Sequence, residues 1–402
     1  MNFSDQKLGT AGASSASIHW VARATRLVPV LDAAIGRIES ERRVPADVMS
    51  ALHDAELFRM CLPASIGGGE ATPSTVLQVV EIIATADAST AWCLGQALGC
   101  SRMAGFLDRT VAQEVFGGRD AVLAWGPPGG AANAVAVDGG YRVTGKWRLA
   151  SGIRNASWLG PICRVCEPDG SPRHDADGKP VNRTMLLPIS SATLTDVWHV
   201  IGLKGTGSDS FAIDDLFVAE EYSFHRDSPQ DRREDGPLYR MGLSMFYAIA
   251  FSGVAMGVAR TALEDFIRLA AEKTPSHWST VMRENPGLQR QVAEAEANLG
   301  SARSYLFDML DSAWNSDHLP DAWPLEMRAR LRLACTNAIT QSRAVVEFAY
   351  QAAGSGAIFQ DNPFERRFRD INTVAQQAQG QPVNFEHAGA ALMGLEIKGG
   401  RV

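Results

Sequence analysis

The stretch Tyr141-Arg-Val-Thr-Gly-Lys-Trp-Arg-Leu-Ala-Ser-Gly-Ile-Arg-Asn-Ala-Ser-Trp-Leu159 decides how the rest of the chain is read. It follows Asp138-Gly139-Gly140, residue types that close a β-hairpin. Val135, Val137, Tyr141, Val143 and Trp147 alternate around that turn as strand side chains do. The strand then stops at Ser151-Gly152. Such an end is suited to holding a flat, electron-rich ring. Trp147 offers a stacking surface. Ala150 and Gly152 let the backbone come close, and the Ser151 hydroxyl can donate or accept a hydrogen bond.

Outward from this strand the chain falls into three regions, 1–119, 120–225 and 226–402. Before it the spacing is helical. Residues up to about 18 are rich in Ser, Ala and Gly and are expected to fray. Leu27, Val30, Leu31, Ala34, Ile35 and Ile38 then recur at helical intervals, and Thr72-Pro73-Ser74-Thr75 reads as a helix start. Pro127-Pro128-Gly129-Gly130 marks a boundary. From Ala121 to about Phe224 the period falls towards two. Segments 133–137, 141–150, 158–166, 184–188, 194–201 and 211–218 read as strands. From Leu238 onward four long helices are expected, about 240–273, 286–316, 323–353 and 370–397, which suggests a bundle. The fold class is mainly α with an inserted β-domain.

Composition excludes several roles. A net charge of −7 and the lack of a basic run argue against nucleic acid as a partner. The N-terminus has no cationic-then-apolar pattern, and no stretch approaches the roughly 20 apolar residues of a membrane span, so a cytoplasmic protein is expected. The six cysteines read as reduced structural thiols. Cys163-Arg-Val-Cys166 has redox or metal spacing but lies in a strand and has no second ligand pair, so no metal is expected.

Gly145-Lys146-Trp147-x-x-x-Ser151-Gly152 resembles the flavin-contacting strand of the acyl-CoA dehydrogenase superfamily. It resembles more closely the two-component flavin monooxygenases built on that fold. Leu62-Pro63-x-x-x-Gly67-Gly68, Ser89-Thr90-Ala91-Trp92, Gly202-Leu203-Lys204-Gly205-Thr206-Gly207-Ser208 and Phe368-Arg369-Asp370 occur in the family's order, so the resemblance spans nearly the whole chain. It implies an N-terminal helical domain, a central β-barrel and a C-terminal four-helix bundle. It also implies a homotetramer or homodimer.

The resemblance assigns roles residue by residue, and each role competes with a plainer one. Trp125 and Gly126 would meet the flavin through backbone groups; they also read as a buried Trp beside a turn glycine. Trp147, Ala150 and Ser151 would lie at the isoalloxazine, near its N5. Lys204-Gly205-Thr206-Gly207-Ser208 can cradle a cofactor through backbone N–H groups or simply form a tight turn. The resemblance favours Thr206, Ser208 and Ser210 as lining residues. Arg366, Arg367 and Arg369 either pair with Glu365 and Asp370 or reach the flavin phosphate or ribityl. Trp92, Phe246, Tyr247 and Phe251 are candidates for an apolar substrate pocket, and equally for plain core.

A dehydrogenase of this superfamily needs a carboxylate base. Its family position after Arg369-Asp370 holds Gln376-Gln377-Ala378-Gln379-Gly380, and Leu243 to Val258 contains no Asp or Glu. The expected activity is therefore that of an oxygenase component. Reduced FAD or FMN would come from a separate NAD(P)H:flavin reductase. With O2 it would form the family's C4a-hydroperoxide and hydroxylate or epoxidise a small aromatic or heteroaromatic ring. Histidines that many of these hydroxylases carry after the Arg-Asp pair are replaced by Asn372 and Gln377. That favours an indole-type ring over a phenol and leaves Asn372, Gln377 and Ser151 as candidate catalytic residues. The alternatives are an acyl-CoA dehydrogenase or oxidase with a relocated base, and a helical scaffold without activity.

Overall fold

Residues 15–397 are described by the computed structural model of the chain. Most of the stretch expected to fray lies outside them. Helix α1 (Ser15–Glu41) buries Leu27, Leu31, Ala34 and Ile38 along one face, at intervals of three and four. Val30 is on the exposed side. α2 (Ala46–Asp54) follows. α3 (Pro73–Ala86) starts as its sequence implies: Pro73 fills the first turn, and Thr72 Oγ1 accepts from the Thr75 N–H. α4 (Ala88–Ser101) is capped by Asp87, whose carboxylate accepts the Thr90 N–H at 2.6 Å. α5 (Arg109–Phe116) completes the first helical region.

Ten strands follow: β1 (Leu123–Ala124), β2 (Pro128–Val137), β3 (Gly140–Ala150), β4 (Trp158–Leu159), β5 (Ile162–Cys166), β6 (Asn182–Met185), β7 (Leu187–Pro188), β8 (Thr193–Thr195), β9 (Asp209–Ala219) and β10 (Ser223–Phe224). Seven form one sheet in the order β10-β6-β5-β2-β3-β9-β8, and β1-β4-β7 form a small second one. The β2–β3 hairpin closes at Asp138-Gly139, with Val137 opposite Gly140 and Gly139 at φ +73°. The strand expected over 194–201 is shorter. After Thr195 the chain leaves the sheet because the Asp209 carboxylate accepts the Val197 and Trp198 N–H groups, at 3.1 and 3.2 Å. Pairing of β3 with β9 slips twice, between Val143 and Gly145 and again between Trp147 and Ala150, with Leu149 in the second slip at φ +56°. That bulge turns the end of β3 out of the sheet.

The chain then returns to helix: α6 (Pro237–Arg240), α7 (Leu243–Glu272), α8 (Pro286–Trp314), α9 (Leu325–Ala353), α10 (Pro363–Ala375) and α11 (Val383–Leu392). The fourth long helix expected over 370–397 is two short ones. The chain turns tightly after Ala375, where a Cβ on Gly380 would lie 2.6 Å from the Ala375 carbonyl oxygen, and Pro382 precedes the next helix.

Both helical regions share one hydrophobic core, whereas the strands enclose their own. The close approach of α7 to α3 explains this. A Cβ on Gly257 would sit 2.3 Å from the Glu81 carbonyl oxygen, and one on Gly253 2.8 Å from that of Leu77. Contrary to the sequence expectation, α7 is long and apolar enough to cross a membrane. Most of its apolar stretch is buried among the other helices. All six cysteines are buried and free.

Candidate active site

A cavity of about 950 Å³ lies where the β-region meets the bundle. Its walls come from α4, the connector after β1, the turned-out end of β3, the loop before β9, and α7, α9, α10 and α11.

Hydroxyl groups bridge its β-side. Trp92 Nε1–H donates to Ser151 Oγ at 3.0 Å. Ser151 Oγ lies 2.8 Å from Ser208 Oγ, and Ser208 Oγ lies 2.7 Å from Thr206 Oγ1. Thr206 Oγ1 donates to the Leu203 carbonyl at 2.8 Å. The direction of this chain is fixed by counting protons. Thr206 gives its proton to a carbonyl, so Ser208 must donate to Thr206, and Ser151 must donate to Ser208. The proton of Ser151 is thus committed. Towards the cavity Ser151 offers a lone pair, and it can accept from an N–H or O–H there.

Aromatic rings form the neighbouring wall. Phe251 is stacked between Trp92 (centroids 3.8 Å apart, planes at 4°) and Tyr247 (5.3 Å, 4°). Trp92 and Tyr247 reach the cavity and Phe251 backs them. Tyr247 Oη accepts from Trp125 Nε1 at 3.0 Å and donates to the Gln96 carbonyl at 3.3 Å. Burial raises Tyr247 well above the ordinary phenol range, so it remains neutral. Gly126 lies beside Trp125 with no room for a side chain: a Cβ would fall 2.0 Å from the Arg148 carbonyl oxygen. The connector therefore rests directly on the end of β3.

The opposite wall is polar amide. Gln377 Oε1 accepts the Gln379 N–H at 2.9 Å, which fixes the orientation of its amide, and its Nε2 is buried with no hydrogen-bond partner. A buried donor without a partner costs about 1–3 kcal/mol unless a ligand accepts from it. The shelf of hydroxyls, with the Ser151 lone pair facing the cavity beside aromatic rings, fits a flat heteroaromatic cofactor that donates a hydrogen bond.

Seven residues expected at the site are placed elsewhere. Trp147 follows the alternation of Tyr141 and Val143 into the β-core, where it stacks on Phe211 (5.1 Å) and donates to the Ile162 carbonyl (2.9 Å). Ala150, beyond the bulge, is also turned inward and fully buried. Ser210 sits within β9 opposite Thr195. Phe246 is buried under the Arg102 guanidinium, 5.5 Å from its ring centre. Asn372 turns its amide back to the Phe368 carbonyl of its own helix, at 2.8 Å. Arg367 pairs with Asp265 of α7, and Arg369 holds Glu365, Glu39 and the Ile201 carbonyl. The arginines are ion-paired, as in the plainer reading, but only Arg369 takes an expected partner, Glu365; Arg366 and Arg367 take Asp87 and Asp265, and Asp370 accepts the Leu203 N–H instead.

These ion pairs still serve the site. Arg366 Nη1 lies 3.2 Å from the Asp87 carboxylate, and the Leu203 N–H donates to Asp370 at 2.7 Å. α10 thus fixes both the start of α4, which carries Trp92, and the loop that carries Thr206 and Ser208. Burial pushes Asp370 up to about 7, against the opposing effects of Arg366 and the Leu203 N–H. The folded state therefore holds this proton up to about pH 7, while the unfolded chain releases it near 3.8. Stability should fall as pH rises through that window. Asp370→Asn, which keeps an acceptor for Leu203, should flatten the fall, as measured by denaturant midpoints across the window.

Sequence reading missed Arg226, Leu149, Arg332, Gln379, Asn384 and His387, all on the cavity wall. Arg226 lies in an aperiodic polar segment. The α11 residues were assigned to the interior of one long helix that the structure breaks.

The family models for the acyl-CoA dehydrogenase N-terminal domain and C-terminal domain match residues 25–114 and 249–382. The chain is 28% identical to an indole-3-acetate monooxygenase of Pseudomonas putida, over 90% of this chain and 91% of that one. It is 27% identical to the oxygenase subunit HsaA of a flavin-dependent monooxygenase from Rhodococcus jostii, over 93% and 98%. Among solved structures, XiaF from Streptomyces in complex with FADH2 and glycerol superimposes with a TM-score of 0.84 at 25% identity, covering 95% of this chain and 96% of that one. The chain belongs to the acyl-CoA dehydrogenase family, in the branch formed by the oxygenase components of flavin-dependent monooxygenases.

Proposed function

We propose that the cavity binds reduced FAD or FMN delivered by a separate NAD(P)H:flavin reductase, and beside it a small aromatic or heteroaromatic substrate that becomes hydroxylated or epoxidised. Bound reduced flavin supplies the electrons that activate O2. The chain does the rest. Gly126 and the Trp125 backbone admit the cofactor edge, with Thr206, Ser208 and Ser151 along its ring system. Ser151 would accept a hydrogen bond from it. Trp92 and Tyr247, backed by Phe251, hold the substrate ring and exclude water, which limits wasteful release of peroxide.

One observation carries this reading: a directed hydroxyl chain opens onto an aromatic-walled cavity with no free carboxylate. Asp227 is the one acid on the wall among the described residues, and it is occupied by Arg102 at 3.2 Å and the Leu243 N–H at 2.9 Å. A dehydrogenase would need such an acid free to take a proton from its substrate. We favour an indole-type ring, which needs no deprotonation. His387 of α11 supports a second reading, a phenol deprotonated by this imidazole. The test supplies reduced FAD or FMN from an unrelated reductase under ¹⁸O2, with a panel of indoles and phenols. Product containing one ¹⁸O atom is expected. Bleaching of bound oxidised flavin by an acyl-CoA, with no labelled product from any ring, would overturn the proposal.

A further inference from the structure

Arg226 follows β10 and lies on the cavity wall. Its guanidinium carbon is 3.7 Å from the centre of the Trp125 ring, a cation–π contact that fixes the plane of the group. Nε donates to Thr184 Oγ1 at 2.6 Å, and Nη2 donates to the Gly160 carbonyl at 2.8 Å. Both partners are neutral. No carboxylate among the described residues lies within ion-pairing distance of Arg226, and Nη1 makes no hydrogen bond to the protein. Nη1 is not among the sealed, partnerless side-chain atoms, so it opens to the cavity.

Arg102, deeper in the same region, provides the contrast. Its charge is paired with Asp227 at 3.2 Å, whereas that carboxylate attracts Arg226 only from beyond ion-pairing distance. The wall around Trp125 therefore carries one guanidinium that has no direct ion-pair partner among the described residues. A guanidinium withdrawn from water without a counter-ion is expensive to keep, and its two-pronged geometry suits a carboxylate. Around it the surface is aromatic: Trp125 beneath, with Tyr247 and Trp92 alongside.

We propose that Arg226 recognises an anionic substituent of the substrate, so that the enzyme acts on aromatic rings carrying a short carboxylate side chain. This rests on the reading that the cavity takes an aromatic substrate. The ring lies against the Trp92–Tyr247 wall while the carboxylate meets Nη1 and the free N–H of Nη2. Arg226 is then a binding residue that sets both specificity and the orientation of the ring.

The test is anaerobic calorimetric titration of the full chain, with reduced FAD present, using indole-3-acetate and its uncharged isostere indole-3-acetamide. The wild-type chain should bind the acid more tightly than the amide by about tenfold or more. Arg226→Leu should remove that preference while affinities for the amide and for reduced FAD stay unchanged. Arg226→Lys, which keeps the charge, should retain part of the preference, so the proposal stays testable if the leucine variant does not fold. Equal affinity of the wild-type chain for acid and amide would overturn the anion site alone. So would loss of reduced-FAD affinity in Arg226→Leu with the acid-over-amide ratio intact, because the guanidinium would then serve the cofactor. Binding of neither ligand would overturn the aromatic-substrate reading together with it.

Discussion

Arg366→Met should cost about 3–5 kcal/mol of folding stability, the usual consequence of stranding one partner of a buried ion pair. The partner left behind is Asp87, 2% exposed, which also caps α4 through the Thr90 N–H. Arg366 additionally donates to the Ala86 carbonyl at 3.3 Å, at the end of α3. The substitution therefore loosens the junction where α3 ends, α4 begins and α10 packs. A lower denaturant midpoint at unchanged slope is the expected signature. The double variant Asp87→Asn/Arg366→Met removes both charges and should be less destabilised than the two single losses summed, because the stranded charge is gone. Additive losses would mean that the pair is not coupled. Affinity for reduced flavin should fall only as far as Trp92 and the 203–208 loop become displaced, since Arg366 does not line the cavity.

Ser151→Ala should lower the yield of oxygenated product per flavin consumed by roughly two orders of magnitude, with hydrogen peroxide rising in its place. That is the range lost when one preorganised hydrogen-bonding group is taken from a reacting centre. Ser151 is where the directed chain meets the cavity. Its removal leaves the Trp92 N–H without an acceptor and takes from the cofactor the lone pair that the rest of the chain holds in place. Ser208→Ala is the informative companion. It keeps the Ser151 hydroxyl but frees its proton, so Ser151 can then donate where it should accept. An intermediate loss is expected, with reduced-flavin affinity weakened more than the fold. Equal product yields in the Ser151→Ala and wild-type proteins would show that the chain is only structural.

The sequence made legible whatever depends on local pattern. The helix start at Thr72, the Asp138-Gly139 turn and the missing base all follow from residue type and spacing. Trp92, Ser151, Thr206 and Ser208, which the motif resemblance singles out, line one cavity. Errors arose where geometry changes over one or two residues. Trp147 lies in β3 and Ser151 one residue past its end, and the bulge at Leu149 sends them to different places. Alternation alone could have placed Trp147 with Tyr141 and Val143 in the core, had it been weighed above the motif. Arg367 and Arg369 carry the residue type for phosphate, but acids contributed by α1 and α7 pair with them first. Arg226 was invisible because neither periodicity nor a motif marks it; its meaning lies in a partner it lacks, which only the assembled structure shows.

If the cavity holds reduced flavin, it should control the reaction of that flavin with oxygen. The most direct measurement mixes the protein with anaerobically reduced FAD or FMN and then with oxygenated buffer, following absorbance in a stopped-flow instrument without any substrate. The account predicts a transient that absorbs at shorter wavelength than oxidised flavin and precedes its return, and that is shortened in Ser151→Ala. Oxidised flavin returning in one phase, at the rate seen without protein, would contradict it.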